Sequence, residues 1–131
     1  MQDSVFTRII KGEIPSHKVY EDDRTIAFMD INPIQTGMVL VVPKAQVDHF
    51  IELSDKDYQA LMASVKKVGQ KMQEIFPDKR IGVQIEGLDV PHAHVKVFPF
   101  ASANEFRALP NTMLEPNHPA LAQMAKKLKI E

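Results

Sequence analysis

The chain alternates short apolar-periodic segments with turn residues, and the period of each segment predicts its conformation. Val5, Phe6, Ile9 and Ile10 recur at helical spacing until Gly12-Glu13-Ile14-Pro15 interrupts them, which predicts a short N-terminal helix. Two strand-like runs follow, residues 18–21 and 25–30, about the turn-forming Asp22-Asp23-Arg24. Asn32-Pro33 breaks the chain again. Gly37 then opens residues 38–42, apolar and β-branched toward both faces, which predicts a central buried strand closed by Pro43. A long helix is placed by Ser54, a good N-cap, with Asp57 in a capping-box-like position. Tyr58, Leu61, Met62, Val65, Val68, Met72, Ile75 and Phe76 form its core-facing stripe, and Pro77 stops it. Residues 81–86 and 92–98 are two more strand candidates, joined by 87–91. The tail is rich in proline and asparagine over 104–119, and Leu121, Met124, Ala125 and Leu128 mark a weak final helix. The expected architecture is α+β: about five mostly antiparallel strands, one long helix over 54–76 and a short helix at the N-terminus.

A chain of 131 residues suits a single domain, here 1–131 with a core over about 5–100 and a tail from 101. At 44% hydrophobic and 25% charged residues it can bury a sizeable core. Sixteen Lys and Arg against seventeen Asp and Glu leave a formal charge of -1, so no global basic field points to specific nucleic-acid binding. The absence of cysteine excludes disulfide scaffolds, thiolate metal sites and cysteine nucleophiles. The longest apolar run, 38–43, is far below a membrane span. The first residues lack the basic and apolar regions of a signal peptide, so a cytoplasmic address is expected.

Chemistry concentrates in residues 91–99, Pro-His-Ala-His-Val-Lys-Val-Phe-Pro. On a strand, His92, His94, Lys96 and Phe98 share one face, and Ala93, Val95 and Val97 share the other. A solvated polar face is one reading. A metal chelate is a second, although Lys96 would repel the ion and no carboxylate third ligand is fixed by spacing. The third is an anion site, in which two imidazoles and an ammonium face a phosphate and one imidazole serves as nucleophile. Spacing alone leaves all three open.

Five segments in register carry a resemblance. They are Val5-Phe6-Thr7-Arg8-Ile9-Ile10-Lys11-Gly12-Glu13-Ile14-Pro15, Val19-Tyr20-Glu21-Asp22-Asp23, Ala27-Phe28-Met29-Asp30-Ile31-Asn32-Pro33, Gly37-Met38-Val39-Leu40-Val41-Val42-Pro43-Lys44, and the His92-x-His94 segment. With them the chain resembles the histidine-triad family of nucleotide hydrolases and transferases, in its small nucleoside-phosphoramidase-like branch. The resemblance implies the fold of that family and an attack by His94 on the α-phosphorus of a nucleotide. It implies that His92 orients the nucleophile and that a covalent nucleotidyl-histidine is then hydrolysed. It also places a purine nucleoside against Phe6, Ile14, Phe28 and Ile31, with the Asp30 carboxylate on the ribose hydroxyls. No cofactor or metal is implied, the partner is a purine nucleotide or its conjugate, and a homodimer is expected. A two-fold interface would join the long helix and the 81–86 strand of each copy.

Departures from the family pattern qualify the activity. Lys96 replaces the third histidine, Met38 replaces the one after Gly37, and Gln46 replaces the one after Pro43-Lys44. Asp89 stands where a small hydroxyl residue is frequent, and brings a negative charge near the expected phosphate. Lys96 can neutralise phosphate but protonates a leaving group less readily than imidazole. A nucleotide-binding module without efficient turnover is therefore the alternative to an enzyme. His49 is read as a surface residue at the entry to the long helix, while His17 and His118 lie in polar loop contexts without a signal.

Overall fold

The computed structural model describes residues 2–131, so Met1 of the expected domain lies outside the described residues. Five strands pair antiparallel in the order β1-β2-β3-β5-β4, with β1 Lys18–Glu21, β2 Thr25–Met29, β3 Val39–Pro43, β4 Arg80–Gln84 and β5 Val95–Phe100. Strand β3 is buried at every position, as its two-sided apolar pattern demands. The pleat sorts the side chains into two cores. Ala27, Met29, Val39, Val41, Val95 and Val97 join the core under the long helix α2, Asp55–Ile75. Ile26, Phe28, Leu40 and Val42 meet Phe6 of α1, Val5–Ile10, on the opposite face.

Ser54 caps α2 by accepting from Asp57 N at 3.1 Å. The expected capping box does not close, because the Asp57 carboxylate takes Arg24 Nη1 at 2.6 Å and ties the β1–β2 turn to the helix. Leu61, Val65, Val68 and Met72 are buried along the stripe, each contributing about 1.5–3 kcal/mol. Tyr58 is a correction: it is 43% exposed, and Leu53, just before the cap, supplies the buried apolar group at that end.

Two other boundaries also shift. Strand β5 starts at Val95, because His92 N donates to Val90 O and Ala93 N to Val47 O in place of ladder bonds. His92 and His94 therefore precede the regular strand. Strand β4 ends at Gln84, paired with Lys96, which leaves Glu86 beyond the ladder. The tail carries a helical turn the periodicity did not predict, α3 Ala103–Phe106, whose Phe106 ring lies 5.2 Å from Phe98 and 4.9 Å from Phe100. Helix α4, His118–Leu128, follows as expected and buries Leu121, Ala125 and Leu128 beside α2. His118 thus opens a helix instead of lying in a loop. His49 precedes a single 3-10 turn, Phe50–Glu52, and is exposed.

Candidate functional site

A cavity of about 470 Å³ opens on the face of the sheet opposite α2. Its walls come from α1, the segment after it, the β2–β3 loop and the residues leading into β5. Phe6, Ile14, Phe28, Asp30, Ile31, Asp89, His94 and Lys96, eight of the nine residues singled out from sequence, all line it. His92 does not. It sits fully buried behind the wall and acts on the cavity only through its neighbours.

The two histidines differ in what their nitrogens can do. His94 Nδ1 lies 2.8 Å from the carbonyl oxygen of His92. A carbonyl only accepts, so Nδ1 carries the proton and the Nε2 lone pair is left free. His92 Nε2 faces the Pro43 carbonyl at 2.8 Å and is protonated for the same reason. Its Nδ1 then accepts from Ser4 Oγ at 2.7 Å, while Ser4 Oγ accepts from Thr7 N. Thr7 Oγ1 donates to Gln46 Oε1 at 2.5 Å, and Gln46 Nε2 donates to Gln2 O. Gln46, which departs from the family pattern, thereby anchors the N-terminal segment that fixes His92. Burial holds the His92 imidazole below its ordinary pKa and outweighs the Pro43 carbonyl, with the nearby His94 adding to the effect. The Phe6 ring is steeply inclined to both imidazoles, its centroid 5.0 Å from that of His94 and 5.8 Å from that of His92, so it packs them as well as lining the cavity.

Lys96 is 8% exposed at its side chain and is not a free cation. Its Nζ donates to Glu86 Oε1 at 2.6 Å and to Asp89 Oδ2 at 3.2 Å. Burial would lower its pKa, but the two carboxylates outweigh burial and raise it. Asp30 is held above the ordinary carboxylate range by burial; Asn32 N, at 2.8 Å from Oδ1, and the charge of Lys96 oppose this. Met38 is fully buried, lines the cavity and accepts from Ile34 N through Sδ at 3.4 Å. Among the described residues, no three His, Asp or Glu side chains are grouped as a metal site needs.

Sequence reading missed Ser4, Thr7 and Glu86. Ser4 meets His92 across 88 positions, and no local pattern encodes such a contact. Glu86 had a usable signal: in the β4–β5 hairpin it falls just past the Gln84–Lys96 pair, within reach of the lysine. A smaller cavity of about 120 Å³ also touches His94 and is lined by Glu86 and His49 among others.

A family model described as HIT domain matches residues 11–103. The chain belongs to the HIT family. It is 36% identical over 106 residues to an uncharacterized HIT-like protein of Borreliella burgdorferi, covering 76% of each chain. It is 34% identical over 99 residues to an adenosine 5′-monophosphoramidase of Schizosaccharomyces pombe, covering 72% of each. The fold matches the crystal structure of a HIT-like protein from Bartonella henselae with a TM-score of 0.84 and 28% identity, over 96% of this chain and 93% of that one. The expected α+β architecture with its five-stranded antiparallel sheet is thus the fold of HIT proteins of known structure.

Proposed function

We propose that the chain binds a purine nucleotide in the large cavity and cleaves a phosphoramidate or related bond at its α-phosphorus. The observation that carries this reading is the tautomer of His94, whose Nδ1–H on the His92 carbonyl leaves Nε2 as a nucleophile at a cavity wall. Support also comes from the similarity to a monophosphoramidase. Phe6, Ile14, Phe28 and Ile31 supply apolar surface for the base, and Asp30 supplies an acceptor for two vicinal hydroxyls. The Nε2 lone pair attacks phosphorus, the bond to the leaving nitrogen breaks, and the amine departs with a proton from water. Water then attacks the nucleotidyl-imidazole, releasing the nucleoside monophosphate and restoring His94. Lys96 serves as a charge partner near the phosphate, since an ammonium gripped by two carboxylates is a reluctant acid.

The grip on Lys96 also favours the second reading, a nucleotide-binding module with poor turnover. Incoming phosphate has to compete with Glu86 and Asp89 for that one cation. Intact-protein mass spectrometry after mixing with adenosine 5′-phosphoramidate separates the two. A nucleotidyl adduct mapped to His94, absent in His94→Ala, with release of AMP, supports catalysis. AMP binding without adduct or product supports the module, and no binding at all sinks both. We further propose that the protein works as a homodimer in the cytoplasm, joined through α2 and the β4 edge.

A further inference from the structure

The large cavity holds an unbalanced set of charges. Among the described residues that line it, Lys96 is the one lysine or arginine, set against the carboxylates of Asp30 and Asp89. Glu86, two residues beyond β4, closes on Lys96 from the smaller cavity. Two of the three ammonium protons are therefore committed, at 2.6 Å to Glu86 and 3.2 Å to Asp89, and the side chain is only 8% exposed. An oxygen of a ligand phosphate can take only the third. Tetrahedral donors hold such an oxygen about 2.8 Å from Nζ and about 4.6 Å from each bonded carboxylate oxygen. Coulomb energy falls with the inverse of distance, so the two repulsions cancel the single attraction. Asp30, lining the same cavity, adds a further repulsion.

We propose that Glu86 and Asp89 set the charge class of the substrate, admitting an α-phosphorus that carries one negative charge and disfavouring one that carries two; the inference rests on the nucleotide reading above. One ligand oxygen still finds a donor on Lys96, so a single charge is tolerated. A second charge loses its hydration, meets no further cation and faces Asp30 and Asp89. Phosphoramidates and phosphodiester-like conjugates of a nucleoside carry one charge at this phosphorus at neutral pH. A free monophosphate carries nearly two, since its second pKa is about 6. The same filter acts on the product. Hydrolysis of a phosphoramidate turns a singly charged centre into a doubly charged monophosphate and releases the amine as a cation. The groups that admit the substrate therefore expel the nucleotide product. A lysine without its two acidic partners would do the reverse and hold the monophosphate more tightly.

The test compares AMP with adenosine 5′-methylphosphonate by calorimetry at about pH 8, where AMP is a dianion. The two are close in size, but a methyl group replaces one oxygen, so the phosphonate keeps a single charge and offers no cleavable bond there. The wild type binds the methylphosphonate about threefold to tenfold more tightly than AMP. In the double variant Glu86→Gln, Asp89→Asn, AMP gains about tenfold and the order reverses, because Lys96 then meets the dianion unopposed. Asp89→Asn alone, at a side chain 63% exposed, narrows the wild-type preference, and its circular dichroism matches the wild type. A wild type that binds AMP more tightly than the methylphosphonate overturns the charge filter and leaves nucleotide binding standing. A preference unchanged in Asp89→Asn and in the folded double variant overturns it as well. A wild type that binds neither ligand overturns both readings.

Discussion

A single carboxylate on the cavity wall shows what burial costs the fold. Asp30 sits half-buried with a raised pKa, so at neutral pH its charge costs folding free energy. Asp30→Asn keeps an oxygen for Asn32 N and removes that charge. The thermal midpoint of the variant rises at neutral pH, and under the proposed function nucleotide affinity falls about tenfold or more as the acceptor proposed for the ribose weakens. The folded-state pKa exceeds the unfolded one, so the penalty in the wild type is relieved as pH falls through the folded value. The advantage of the variant shrinks over the same range. His92 has the opposite sign. Its pKa is depressed, so its contribution is complete above about 6.5 and is lost as pH falls from there toward the folded value. Midpoints of wild type and His92→Gln, compared between about pH 7.5 and pH 5, show a steeper fall in the wild type. Parallel curves would mean that His92 is no more reluctant to protonate in the folded chain than in the unfolded one.

Among the elements, glycine and proline set the limits and apolar periodicity sets the type. That is why α1, α2, β1, β2 and β3 were legible within a residue or so. Residues 92–94 were not, because their backbone bonds go to Val90 and to Val47, the latter distant in sequence. The alternation that put His92 and His94 on a strand face still pointed to the right neighbourhood. It failed to distinguish the fully buried His92 ring from the His94 ring at the cavity wall. The α3 turn carries too few apolar residues to show a period; it is fixed by Phe106 landing on Phe98 and Phe100. The cavity walls were legible through family resemblance, since core packing alone explains each of those apolar residues equally well. One element boundary has a sharp test. Gly37 has φ +92°, and a Cβ there would stand 2.9 Å from the Phe76 ring at the end of α2. Gly37→Ala therefore strains the backbone and pushes the ring together, a loss of about 1–3 kcal/mol in urea unfolding. An unchanged midpoint would show that the loop before β3 relaxes freely.

For the whole molecule, the two margins of the sheet are unlike. At β1 the ladder is bulged between Lys18 and Tyr20, and Ile130 N donates to Val19 O at 2.9 Å. At β4 the outward Val83 is 42% exposed. Long exposed strand margins recruit other strands unless they are covered or distorted. The proposed dimer uses β4 with α2, and light scattering at micromolar concentration is expected to give about twice the chain mass. A monomeric mass across the concentration range would remove it. Val83→Lys puts a charge on the exposed β4 margin and is expected to shift the proposed dimer toward monomer without unfolding the chain. The tail's hold on β1 has a consequence for how far association can go. A body with one available strand margin is monovalent: once two copies have joined there, neither has a second margin to offer. In the proposed dimer growth ends at the pair, and the backbone donation from Ile130 to Val19 would keep such an assembly finite.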